Sequence, residues 1–153
     1  SVRYLNLEYL EIYTILLNGE KYRAVAAAEI NYLHLECCKF EDEEAVQIVV
    51  NNIRAERGPK GLSLEKEPFN SPESRGELVN ALRGNTYLER LDFTHLWCSS
   101  GDFEALVAAL PENRGLTHLG LSYCTVDDRC WESLMGAIAK HPSLRTISFK
   151  QTG

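Results

Sequence analysis

The sequence predicts an α/β chain in which short parallel strands alternate with helices at a fixed step. Three observations carry that expectation. A nine-residue pattern recurs six times at near-equal spacing, a second pattern with helical spacing recurs between its copies, and helix-start signals fall among them. The clearest copy of the first pattern is LTHLGLSYC from Leu116. Its apolar residues stand at the first, fourth and sixth positions, which fits neither the strict alternation of a half-buried strand nor the three-to-four spacing of a helix. Such a stretch makes sense as one unit of a stack, because a single strand plus helix cannot bury its apolar face alone.

In chain order, the copies are VRYLNLEYL from Val2, INYLHLECC from Ile30, PKGLSLEKE from Pro59, LERLDFTHL from Leu88, LTHLGLSYC from Leu116 and LRTISFKQT from Leu144. Their starts are 28 or 29 residues apart. After the first copy, EIYTILLNGEKYRAVAAA reads either as a helix interrupted at Asn18-Gly19 or as a hairpin turning there. Some helix after Gly19 is the preferred reading. A weak helical copy, Val49-x-x-Asn52-Ile53, follows the second strand. Pro59, Glu67, Pro68 and Pro72 mark a distorted turn around the third. Pro72 and the capping-box spacing Ser74-x-x-Glu77 then signal a helix start. The full helical pattern is Leu78-x-x-Ala81-Leu82-x-x-Asn85, repeated at Leu106 to Asn113 and at Leu134 to His141. Acidic Glu41, Asp102, Asp127 and Asp128 lie near the other helix starts.

These two patterns together resemble the leucine-rich repeats of the ribonuclease-inhibitor type, over nearly the whole chain. The resemblance implies a right-handed solenoid of about five to six repeats, with a parallel concave β-sheet and convex helices. The inward residues of the fifth unit are then Leu116, Leu119 and Leu121. In the family an Asn or Cys at the ninth position sits inside and hydrogen-bonds neighbouring backbone. Cys38 and Cys124 match that slot, whereas Leu10, Glu67, Leu96 and Thr152 depart from it. The whole of 1–153 reads as one such domain. It starts without Met and ends just after a strand, which implies a segment of a longer protein or an end covered by a partner.

Composition narrows the function class. A net charge of −6 argues against general binding to nucleic acid or anionic membranes. No window approaches the roughly 18 apolar residues of a membrane span, and no targeting peptide is visible at the start. Five cysteines, an odd number without a C-x-x-C, suggest an intracellular, reducing compartment. No metal-ligand spacing, phosphate loop or nucleophile motif occurs, so no cofactor, no metal and no enzymatic activity are expected.

Function in such a stack lies on its exposed columns. Third positions read Tyr4, Tyr32, Gly61, Arg90, His118 and Thr146; fifth positions read Asn6, His34, Ser63, Asp92, Gly120 and Ser148. Seventh positions begin Glu8, Glu36 and Glu65, a column of like charges about 5 Å apart. With Tyr4, Tyr9 and Tyr32 beside them they form an acidic and aromatic patch suited to a partner protein bearing a basic segment. Asp92 is placed to hydrogen-bond His118 diagonally. His34, His95 and His118 share the face without converging on one site. Cys37 is expected exposed but inert, with acidic Glu36 rather than a basic group beside it. Cys98 and Cys130 are expected to pack as small hydrophobes, and Trp97 and Trp131 to pack between neighbouring units. The expected function is a protein–protein interaction or scaffolding module. Tyr4, Glu8, Tyr9, Tyr32, Glu36, Glu65, Arg90 and His118 are its candidate contacts. The alternatives are a structural subunit of a large assembly, or a GTPase-activator or ubiquitin-ligase-adaptor role known among proteins with such repeats.

Overall fold

A computed structural model describes residues 6–65, 72–94, 100–122 and 128–150, excepting the side chains of Asn6, Glu65, Pro72, Thr94, Ser100, Asp102, Ser122 and Lys150. Its strands are β1 (Asn6–Tyr13), β2 (Leu16–Leu17), β3 (Glu29–Glu36), β4 (Lys39–Phe40), β5 (Gly61–Glu65), β6 (Arg90–Thr94), β7 (His118–Ser122) and β8 (Thr146–Lys150). The helices are α1 (Gly19–Ala26), α2 (Glu43–Arg54), α3 (Pro72–Leu82), α4 (Ser100–Ala109) and α5 (Asp128–Lys140). The α/β expectation holds: a six-stranded sheet runs β1-β3-β5-β6-β7-β8, and every pair in it is parallel. A helix lies between each pair of sheet neighbours, as parallel connections require. β2 and β4 form a separate parallel pair.

Burial follows the pleat. Leu33, Leu35, Leu62, Leu64, Leu91, Phe93, Leu119 and Leu121 are each at most 3% exposed, and such burial contributes about 2 kcal/mol per side chain. They meet Val46, Val49, Val50 and Ile53 of α2, Leu78, Ala81 and Leu82 of α3, Leu106 and Ala109 of α4, and Leu134 and Ala137 of α5. Those helical residues are spaced by three and four, so each helix turns one apolar stripe to the sheet.

Helix starts explain the first unit. Asn18 adopts extended φ/ψ and its Oδ1 accepts from the Lys21 amide at 2.8 Å. Asn-Gly therefore opens α1 and makes no hairpin. Asp42 caps α2 in the same way, accepting from the Ala45 amide at 2.9 Å. Pro72 begins α3, where its missing N–H costs nothing. Ser74, expected as a cap, lies inside that helix and is buried, because the proline starts it earlier.

The register corrects one placement. Ile30 pairs with Leu7, not Val2, and Leu33 with Leu10. The first strand thus reads LEYLEIYTI from Leu7, five residues later than expected, and the step to β3 is 23 residues. The other steps keep their expected 28 or 29, for example Leu62 to Leu91 and Leu91 to Leu119. Thr14 and Cys37, each one past a Tyr13–Glu36 register pair, both take left-handed backbone (φ 50° and 54°), so the same turn leaves both strands.

Buried polar side chains tie one unit to the next. Asn85 donates to the Ile53 carbonyl at 2.6 Å, and its Oδ1 accepts from the Tyr87 and Leu88 amides. Asn113 donates to the Leu82 carbonyl at 2.8 Å and accepts from the Gly115 and Leu116 amides. His141 takes the third such position: Nδ1 accepts from the Ser143 and Leu144 amides, at 3.1 and 3.0 Å. Nε2 therefore carries the proton and donates to Asn113 Oδ1 at 3.0 Å. Cys38 is buried, and its thiol donates to the Ile12 carbonyl at 3.2 Å, the interior backbone bond expected of that slot. Cys124 lies outside the described residues.

Candidate functional site

With alternate strand residues committed to the core, the others line the sheet face turned away from the helices. The register sets Tyr9, Tyr32, Gly61, Arg90, His118 and Thr146 in one row. The next row holds Glu11, His34, Ser63, Asp92, Gly120 and Ser148.

One network crosses these rows. The Tyr9 and Tyr32 rings stack with centroids 5.1 Å apart and planes 10° from parallel. The Arg90 guanidinium lies 5.1 Å from the Tyr32 centroid. Tyr32 reaches across β5 and its hydroxyl donates to Asp92 Oδ2 at 2.9 Å. Arg90 Nε donates to the same oxygen at 2.9 Å, and His118 Nε2 lies 3.1 Å from Asp92 Oδ1. The diagonal Asp92–His118 contact is as expected.

Two glycines make the network possible. A Cβ at Gly61 would stand 2.3 Å from Tyr32 Cδ2, and one at Gly120 would stand 2.1 Å from Asp92 Oδ1. Each absent side chain is the space its neighbour occupies.

The network perturbs its own titrations. Burial first, then the bond to the Asp92 carboxylate, pushes the Tyr32 hydroxyl up to about 12. Asp92 raises Arg90 further above its ordinary value. Nearer the sheet edge, the Tyr13 and Tyr9 hydroxyls both donate to Glu11 and hold its carboxyl below the usual range. The Tyr9 hydroxyl is raised in return.

Of the expected contacts, Tyr9, Tyr32, Arg90 and His118 come together here. Tyr9 does so in the third column rather than the eighth, since the first strand is shifted. The acidic column does not form as expected. Glu36 has Tyr13 opposite it on β1 and Glu65 on β5. Glu8 aligns elsewhere: it accepts from Asn31 Nδ2 at 2.9 Å and lines a cleft of about 700 Å³ with Arg23, Asn52, Arg57 and Tyr87. The side chain of Glu65 and all of Tyr4 lie outside the described residues, as do His95, Trp97 and Cys98. His34 Nε2 is 3.8 Å from Glu36 Oε2, and Tyr13 meets its ring edge-on at 6.3 Å. Cys37 is half-buried, Cys130 packs partly against the core, and Trp131 packs on Phe149 at 4.7 Å between centroids.

Glu11 and Tyr13 were not among the expected contacts. A ruler for them was present in the sequence. The cap Asp42 follows Ile30 by 12 residues, and counting back a similar distance from Asn18 reaches Leu7 rather than Val2.

Chemically, the network offers two phenol rings, a carboxylate, a guanidinium and an imidazole on one open face. No hydroxyl or thiol of the described residues is hydrogen-bonded to His118. Among the described residues no three His, Cys, Asp or Glu side chains gather as a metal site, and no helix is long and apolar enough to cross a membrane. Compared with known proteins, the chain matches no family model and no curated sequence.

Proposed function

We propose that this chain is a leucine-rich-repeat solenoid of the ribonuclease-inhibitor type, and that it acts as a non-catalytic protein–protein interaction module through its concave face. Sheet neighbours in chain order, a helix between each pair and the 28–29-residue steps from β3 onward support the repeat reading. The single observation that carries the functional reading is the Tyr9–Tyr32–Arg90–Asp92–His118 network, which spans the strands from β1 to β7 on the helix-free face. Aromatic and arginine side chains locked by their neighbours lose little entropy on contact and make strong anchors. Glu11 and Glu36 beside them favour a partner with a basic segment.

A pull-down from native extract with the wild-type chain and an Arg90→Glu/His118→Ala variant tests this. Partners held by the wild type are expected to be lost from the variant. An unchanged set of partners removes the face from consideration.

A further inference from the structure

We infer that the cleft between the first two units binds a small monocarboxylic acid, its carboxylate held by Arg57, Asn52 and the buried hydroxyl of Tyr22. The site goes beyond the interaction-module reading and shares no residue with the network on the helix-free face.

The cleft comes from a short return inside the stack. From helix cap to the next strand pattern, Asn18 to Ile30 spans 12 residues, whereas Asp42 to Pro59 spans 17. α1 accordingly ends at Ala26 after 8 residues, while α2 runs 12 residues to Arg54. The last turn of α2 and the turn after it therefore lack a full neighbour on the α1 side. One unit later the same join is closed, because Asn85 donates to the Ile53 carbonyl and Thr86 to Glu56. At the short join the chain passes through Ala26, Ala27 and Ala28 straight into β3, and the cleft of about 700 Å³ remains. That volume suits a small molecule. Its walls come from α1, α2, β3 and the turns after the helices, and β1 contributes only Glu8.

Tyr22 marks the inner end. It stands four residues past its cap, as Val46 stands four past Asp42. The longer side chain lines a cavity of about 10 Å³, together with Leu33, Asn52, Gly58 and Pro59. That is room for one water-sized atom. Tyr22 is 3% exposed, and its hydroxyl has no hydrogen-bond partner among the described residues. A buried hydroxyl left unbonded costs free energy, and an oxygen atom supplied from outside would satisfy it. The cavity and the cleft share Ala26, Ala28, Ile30, Asn52 and Gly58 as walls, so Tyr22 lies at the base of the cleft.

Unused donors gather around Asn52. Its Oδ1 accepts from Arg57 Nε at 3.3 Å, and its amino group has no acceptor among the described residues. Arg57 forms no ion pair among the described residues, whereas Arg23 in the same cleft is paired with Glu44. Guanidinium, amide and phenol thus offer donors without an acceptor, the complement of a carboxylate. Ala26, Ala28, Ile30 and Ile48 give the rest of the ligand an apolar wall. Glu8 and Glu29 line the same cleft, so a phosphate dianion is repelled and a single negative charge is accepted.

The probe is hexanoate, titrated into the full chain and followed by NMR at the Asn52 side-chain amide and the Ala26 and Ala28 methyls. Saturable shifts at these groups are expected, while hexanol and inorganic phosphate should leave them unmoved. Arg57→Gln should raise Kd by roughly ten-fold and Tyr22→Phe by roughly five-fold. Arg57 is exposed, so Arg57→Gln should melt with the wild type. Tyr22→Phe removes a hydroxyl that has no partner, so it should melt at or above the wild type. No saturable shift, an equal response to hexanol, or an affinity indifferent to either variant overturns the carboxylate site. A clear fall in the melting temperature of Tyr22→Phe overturns it too, since the hydroxyl would then be bonded without any ligand. The Arg90→Glu/His118→Ala variant should bind hexanoate as the wild type does, which separates this site from the module reading. Loss of binding in that variant would place the probe on the helix-free face instead.

Discussion

His118 on β7 and Asp92 on β6 meet through Nε2 and Oδ1 at 3.1 Å, over Gly120, the neighbour of Asp92 on β7 that lacks a side chain. The other Asp92 oxygen gathers Tyr32 from β3 and Arg90 from β6. A carboxylate 18% exposed thus serves three donors from three strands. Such a hub fixes the side chains around it more firmly than isolated surface pairs do.

Removing the charge of that hub should be visible at Tyr32. In Asp92→Asn the carboxylate no longer opposes ionisation of the phenol, while burial still does. The Tyr32 pKa is expected to fall from about 12 toward its ordinary 10.0 without reaching it. Titration of ring-labelled tyrosine by NMR reads this directly. A Tyr32 value unchanged in the variant would mean burial alone raises it and the hub does not hold in solution.

Gly61→Ala tests the same network from below. The new Cβ would stand 2.3 Å from Tyr32 Cδ2, so the ring must leave Asp92 and Arg90. A loss of about 1–2 kcal/mol is expected by urea denaturation. In a Tyr32→Ala background the sign should reverse, because alanine is about 0.5–1 kcal/mol better than glycine inside a strand once nothing collides with it. Equal effects in both backgrounds would show that Tyr32 does not occupy that space.

How much of this was legible beforehand depends on what carries the signal. The parallel strands from Ile30 onward were readable, because Leu and Phe spaced L-x-x-L-x-L recur at equal steps and that spacing is itself the core. So was the Asp92–His118 diagonal, which follows from register alone. The first strand was misplaced because Val2-Arg-Tyr-Leu-Asn-Leu and Leu7-Glu-Tyr-Leu-Glu-Ile satisfy the same pattern. Only the cap at Asn18 distinguishes them, through chain length. The stacking of Tyr32 over Gly61 left no periodic trace, since a glycine in an exposed column reads as a blank until the neighbour's ring is seen lying on it.

Gly115 should tolerate alanine far less than the helical glycines. A Cβ there would be 2.7 Å from the Thr86 carbonyl carbon and 2.9 Å from the Leu88 and Thr86 oxygens. These are backbone atoms that enter the strand beside Asn85, and they cannot swing aside. Gly115→Ala is expected to cost about 3 kcal/mol. Gly76 and Gly136 sit in α3 and α5 with nothing within 4 Å, so alanine at either should stabilise by about 0.5–1 kcal/mol. Chemical denaturation of the three single variants compares them. Similar losses at Gly115 and Gly76 would contradict the close approach.

His141 makes stability depend on pH. It is 8% exposed and neutral in the fold, with Nδ1 accepting two amides and Nε2 donating to Asn113. Desolvation lowers its pKa below the ordinary 6.5. The unfolded chain therefore binds the proton first, and stability must rise with pH across that interval. The contribution is complete above about pH 6.5 and is lost progressively as the pH falls below it toward the lower folded value. Asn85 and Asn113 fill the equivalent positions with an amide that cannot titrate. His141→Asn should therefore keep the two amide bonds at Ser143 and Leu144 while removing the His141 part of the acid-side loss. Urea midpoints for wild type and variant at a series of pH values should converge at neutral pH and separate below it, the variant being the more stable. Parallel curves would show that His141 is not the group that binds the proton.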